Sequence, residues 1–193
     1  MREVANIEIS KVNIDAKKLI VWLFTVSISM IFAALMSAFI VRRSEGNWLE
    51  FDLPIQLLWS TIAIVISSVF MFYAQFNLKS NNNDKVKIGL TSAFILGIIF
   101  SYFQYLSWTQ LHIDGIYLTG PTSNPSGSFI YVLIWTHLFH IVTGLIFLFI
   151  VLVRSLSNKL VLIKSSILES CAVYWHFLGL LWICLYLFLY LYH

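Results

Sequence analysis

Hydrophobic positions in this chain gather into five long runs, roughly residues 19–41, 55–77, 88–111, 129–153 and 169–192. None of them alternates apolar with polar residues, as the short strands of a membrane barrel would. Each is long enough to cross a bilayer as a helix, since ~20 apolar residues suffice. A helix also satisfies its own backbone in lipid, where no water is available. The intervening stretches are polar or turn-forming. Residues 78–87 hold three lysines and an asparagine run, residues 112–128 hold Gly115, Gly120, Pro121, Pro125 and Gly127, and residues 154–168 carry Arg154, Lys159 and Lys164. The expected fold is all-α: residues 1–193 form a single membrane domain, a polytopic transmembrane bundle of five helices, with residues 1–18 as a polar N-terminal segment. No soluble domain or internal repeat stands out.

Composition agrees with this pattern. The chain is 60% hydrophobic and 11% charged, whereas soluble domains carry about 25% charged residues. The run 19–41 exceeds the 7–15 apolar residues of a signal peptide and ends at Arg42-Arg43, which marks a retained span. Charge placement predicts orientation. Ten Lys/Arg lie in residues 1–18, 78–87 and 154–168, against only Arg42 and Arg43 on the other side. The positive-inside rule then places the N-terminus in the cytoplasm and the C-terminus in the periplasm. Cys171 and Cys184 are 13 residues apart in one run, which is ~20 Å on a helix. They cannot bridge each other, and no CxxC motif is present. No nucleic-acid partner is expected.

Few side chains could carry chemistry. His137 and His140 share a helix face that Gly144 continues. That face could bind a metal or haem, or it could hold hydrogen bonds between helices near the periplasmic end, with Gly144 allowing close approach. His176 lies near the start of the last run, and the helix rise predicts a depth far from that of His137. Of nine acids, only Glu169 opens a span, where the helix dipole favours it by ~0.3–1 kcal/mol. No Asp, Glu, Lys or Arg lies mid-span, which argues against a proton relay or a voltage sensor in this chain alone. Gly97, Phe100, Gln104 and Trp108 form one stripe, with Gln104 expected to donate across a helix interface. Ser29, Ala33 and Ser37 form a small-residue ladder in the first run, while Trp22, Trp48, Trp59, Trp108 and Trp135 sit toward span ends as an interfacial belt would.

Taken in order, these motifs resemble subunit III of the haem–copper terminal oxidases, in its short five-helix bacterial form. Glu169 followed by Tyr174-Trp175-His176-Phe177 and Trp182 looks like that family's closing helix. His137-Leu138-Phe139-His140 with Gly144, entered through Gly127-Ser128-Phe129, looks like its His-x-x-His-x-x-x-Gly segment. Asp114-Gly115 with Tyr117 resembles the preceding loop, Gly97, Phe100 and Gln104 its glutamine-bearing helix, and Thr61 with Ser67-Ser68 the helix before that. Three acids common in the family are replaced, by Ile28, Ser107 and Gly179, so any role of those acids in lipid contact or proton uptake does not carry over.

The resemblance implies an accessory subunit that binds no haem or copper itself. It would pack on and stabilise catalytic subunit I, beside subunit II, with haem and copper in those partners. It would hold phospholipid, and a larger respiratory supercomplex could contain it. The complex would reduce oxygen with electrons from cytochrome c or a quinol and translocate protons. Gln104, His137, His140, Gly144, Glu169, Trp175 and His176 would then be helix-packing, subunit-interface or lipid-contact residues, with no catalytic residue among them. A nitric-oxide-reductase-associated subunit shares the same motifs. A haem-binding membrane anchor using His137, His140 or His176, and a small transporter, are the competing classes; the lack of broken helices and repeats counts against the transporter.

Overall fold

A computed structural model describes residues 2–46, 52–80, 82–120, 124–157 and 165–192, and the regular structure in them is entirely helical. Helix α1 spans Arg2–Ser44, α2 Ile55–Lys79, α3 Asn83–Ile113, α4 Pro125–Leu156 and α5 Ser165–Tyr192. Among the described residues, five stretches are long and apolar enough to cross a bilayer: Leu19–Ser44, Ile55–Leu78, Asn83–Ile113, Pro125–Leu156 and Ile167–Tyr192. Trp48, Pro121, Lys159, Lys164 and the side chains of residues 2–18 lie outside the described part.

The helices reach further than their apolar runs. Pro125 occupies the first turn of α4, where its missing N–H costs nothing, and the Asn124 side chain accepts from the Ser126 N–H at 3.1 Å. The helix therefore starts upstream of residue 129, and His137 and His140 fall near the middle of its 32 residues rather than near an end. Asp84 in the first turn of α3 favours a helical start there, so residues 83–87 are helix and not loop. At the other end of α3, Gly115 takes a left-handed φ of 78°. That lets its N–H reach the His112 carbonyl at 3.2 Å and the Ile116 N–H reach that of Leu111 at 3.0 Å, a Schellman closure. Ile116 is thereby turned onto Gly127, where an added Cβ would lie 2.5 Å from its Cγ2. Tyr131 holds it by donating to its carbonyl at 2.9 Å.

Helices α2, α3, α4 and α5 form a ring, each packed on the next, and α1 lies across the α4–α5 seam. Phe32, Phe39 and Ile28 of α1 are buried in that seam, with Phe39 in edge contact with Phe129 and Phe188. The α2–α3 crossing is the tightest, because Gly89 brings α3 against the backbone of Phe70 and Ala74. The outer surface is apolar, with Phe72, Phe76 and Phe139 each about two-thirds exposed. Such a surface needs lipid or partner chains around it.

Candidate functional site

The polar groups of the ring interior converge on one residue of α5. Trp175 is buried, and its Nε1 donates to Ser67 Oγ on α2 at 3.0 Å. Ser67 in turn donates to the Ala93 carbonyl on α3 at 2.9 Å. The six-membered part of the indole lies against Gly97, where a Cβ would sit 2.7 Å from its Cη2. Gly144 of α4 closes the other side, with a notional Cβ 3.4 Å from the indole and 2.9 Å from Leu178. One side chain of α5 thus touches α2, α3 and α4. A side chain at 97 would collide with the indole, and one at 144 would press on Leu178.

Flanking layers repeat the logic. Gln104 of α3 donates to Ser60 Oγ of α2 at 2.8 Å, Trp182 of α5 donates to Thr61 of α2 at 3.0 Å, and Tyr174 shares a 2.8 Å hydrogen bond with Thr143 of α4. With no water in the bilayer core, such bonds are worth ~0.6–1.7 kcal/mol each. Gln104→Leu should therefore lower the unfolding midpoint of the purified chain by a few degrees and leave the helix content of its circular dichroism unchanged.

The histidines divide by face. His137 is fully buried among Phe32, Phe100 and Trp182, with ring centroids 6.1, 6.0 and 5.0 Å away. Neither of its ring nitrogens has a hydrogen-bond partner among the described residues. His140 places Nδ1 2.7 Å from the Thr136 carbonyl; a carbonyl only accepts, so that nitrogen carries the proton. His176 lies on the outward face of α5, beside a groove with Ser68 and Gly179. The His137 ring lies 5.0 Å from that of Trp182, six residues from His176 along α5, so the two histidines lie ~9 Å apart in depth. That is less than the wide separation expected, because α4 starts earlier than its apolar run. What separates these histidines is the direction they face.

Glu169 is half-buried in the second turn of α5 and does not open it, because the helix begins at Ser165. Gln104 and Trp175 belong to the same ring interior, while Glu169 and His176 stand apart from it. Among the described residues, no three of His, Cys, Asp and Glu are placed to hold a metal. Ile28 is buried apolar core, and Ser107 donates to the Phe103 carbonyl at 2.9 Å. A buried imidazole without partners costs ~1–3 kcal/mol. His137→Leu should therefore leave the unfolding midpoint of the purified chain equal or raised, and a fall of several degrees would reveal a partner for that ring.

This is a multi-pass membrane protein in which Ser67, Gln104, Trp175 and Trp182 spend side-chain hydrogen bonds on joining helices. Residues 10–193 match the cytochrome c oxidase subunit III family, and the chain belongs to that family, whose members are subunits of terminal oxidase complexes. It is 31% identical to cytochrome c oxidase subunit 3 of Spodoptera frugiperda, covering 71% of this chain and 90% of the relative. It is 29% identical to cytochrome bo(3) ubiquinol oxidase subunit 3 of Buchnera aphidicola, over 92% of this chain and 87% of the relative. Identity to cytochrome c oxidase subunit 3 of Synechocystis is 32%, over 92% and 76%.

Proposed function

We propose that this chain is the accessory subunit III of a proton-translocating haem–copper oxidase, non-catalytic by itself, that packs on and stabilises the haem-bearing subunit I beside subunit II. The observation that carries this reading is the Trp175 layer, in which one tryptophan joins four helices, its indole N–H bonded to α2 and its six-membered ring against Gly97 of α3 and Gly144 of α4. Gln104, Gly144 and Trp175 act in that packing, and His137 and His140 pack against aromatic rings between α1, α4 and α5. Glu169 and His176 face outward enough to meet lipid or a neighbouring subunit. The haem and copper of the complex belong to subunits I and II, and structural phospholipid binds elsewhere on the outer surface of this chain.

The basic loops favour an N-terminus in the cytoplasm and a C-terminus in the periplasm of a bacterial inner membrane. The two arginines on the sparse side are engaged, Arg42 with Glu45 at 2.7 Å and Arg43 over the Tyr192 ring at 5.9 Å. The donor is cytochrome c or a quinol according to the partner subunits. Membranes lacking this chain test the role. Oxygen consumption should begin at near the normal rate and decay over many turnovers, with an unchanged haem spectrum. Immediate, total loss of oxygen reduction in an otherwise assembled complex would count against an accessory subunit.

A further inference from the structure

On the outside of the ring, between α2 and α5, runs a groove of about 370 Å³. Val69 and Phe72 wall it on one side and Leu180 on the other, each more than 60% exposed. Ser68, His176 and Gly179 line it more deeply. At Gly179 a Cβ would sit 3.0 Å from Ser68 Oγ. The Nε2 atom of His176 is buried at the edge of this groove and has no hydrogen-bond partner among the described residues.

Depth decides what can satisfy that nitrogen. His176 is nine residues beyond Ile167, where its span begins, or ~14 Å along the helix. Headgroups do not reach so far into a hydrocarbon core ~30 Å thick, and acyl chains offer no hydrogen bond. The polar side chains of the neighbouring turns are already committed inside the ring, as Thr61 and Ser67 are to Trp182 and Trp175. Shape points the same way. The α2 lining falls at 65, 69 and 72 and the α5 lining at 176, 180 and 183, two i, i+4, i+7 ridges of the kind that seat a third helix. A small-residue floor beside a serine and a histidine is also how membrane helices approach closely and bond.

We propose that this groove seats a transmembrane helix of the haem-bearing subunit, which presents a hydrogen-bonding side chain to His176 and Ser68. The inference rests on the reading of this chain as subunit III and names the face it uses. The test is photocrosslinking in the intact oxidase, with p-benzoylphenylalanine at Val69 or Leu180 and, for comparison, at Phe139 on α4. Peptides from a membrane span of the haem-bearing subunit should be captured from 69 and 180 and not from 139. Lipid adducts alone at both groove positions, or protein adducts only from 139, would overturn the assignment while the chain still co-purified, leaving the subunit reading intact. A chain that purified with no haem-bearing subunit would remove both.

A second arm uses His176→Phe, which keeps the ring shape without the nitrogens. Retention in the complex under stringent detergent should fall about tenfold and be partly restored by His176→Gln, while the unfolding midpoint of the isolated chain stays unchanged. Wild-type retention of the phenylalanine variant would contradict the proposal.

Discussion

Trp175→Ala should be among the most damaging substitutions in this chain, lowering its stability by about 3 kcal/mol. Large aromatic-to-alanine changes in packed cores cost ~3–5 kcal/mol. In a bilayer the hydrophobic share of that cost shrinks, because lipid tails are as apolar as the interior. What remains is the cavity, the lost contacts with Gly97 and Gly144, and the Ser67 hydroxyl left without its donor. Unfolding of the purified chain in mixed micelles would measure it. The same geometry predicts a coupling. Gly97→Ala alone should destabilise, since its Cβ lands 2.7 Å from Cη2 and 3.0 Å from Cζ2 of the indole. Phenylalanine at 175 lacks those atoms, so the alanine should be tolerated better in a Trp175→Phe background. A double-mutant cycle should return a coupling of ~1 kcal/mol; strict additivity would mean that the indole does not fill this gap.

Gly89→Ala should destabilise by ~1–3 kcal/mol through overpacking, against the gain of ~1 kcal/mol that helix propensity alone gives for replacing a mid-helix glycine. The new Cβ would lie 2.9 Å from Ala74 Cβ, 3.0 Å from the Phe70 carbonyl oxygen and 3.1 Å from Ala74 Cα. Two of these are backbone atoms, so no rotamer change relieves the contact and α2 and α3 must move apart. The sign of the change in unfolding midpoint decides between packing and propensity.

The five spans were legible because apolar length is the one demand the bilayer makes of every helix. The inward stripe of α3 was legible for a related reason. Gly97, Phe100 and Gln104 recur at helical spacing, and an amide in hydrocarbon must face protein, as Gln104 does toward Ser60. Helix ends were less legible, because they depend on local capping. Asn124 with Pro125 and Asp84 in the first turn of α3 each extend a helix into residues that a hydrophobic count assigns to loops. The earlier start of α4 moved His137 to mid-helix, and the start of α5 at Ser165 put Glu169 in its second turn. The Ser67–Trp175 bond joins residues 108 apart in sequence, and no spacing rule reveals such a partner. Tyr174 with Thr143 and Gly89 against Ala74 were missed for the same reason. The ladder of Ser29, Ala33 and Ser37 suits a close helix contact, yet these residues are exposed in this chain. Small size marks where a helix can be approached and does not say what approaches it.

The central claim is that this chain works as a packing subunit of a haem–copper oxidase. Its most direct test is gentle affinity purification from native membranes, followed by mass spectrometry and a reduced-minus-oxidised spectrum. The account predicts co-purification with a large haem-bearing subunit and a copper-binding subunit, with the haem bands following those subunits when this chain is stripped away by harsher detergent. A chain that emerged alone and carried haem itself would contradict the account and would make His137, His140 and His176 the ligands to replace.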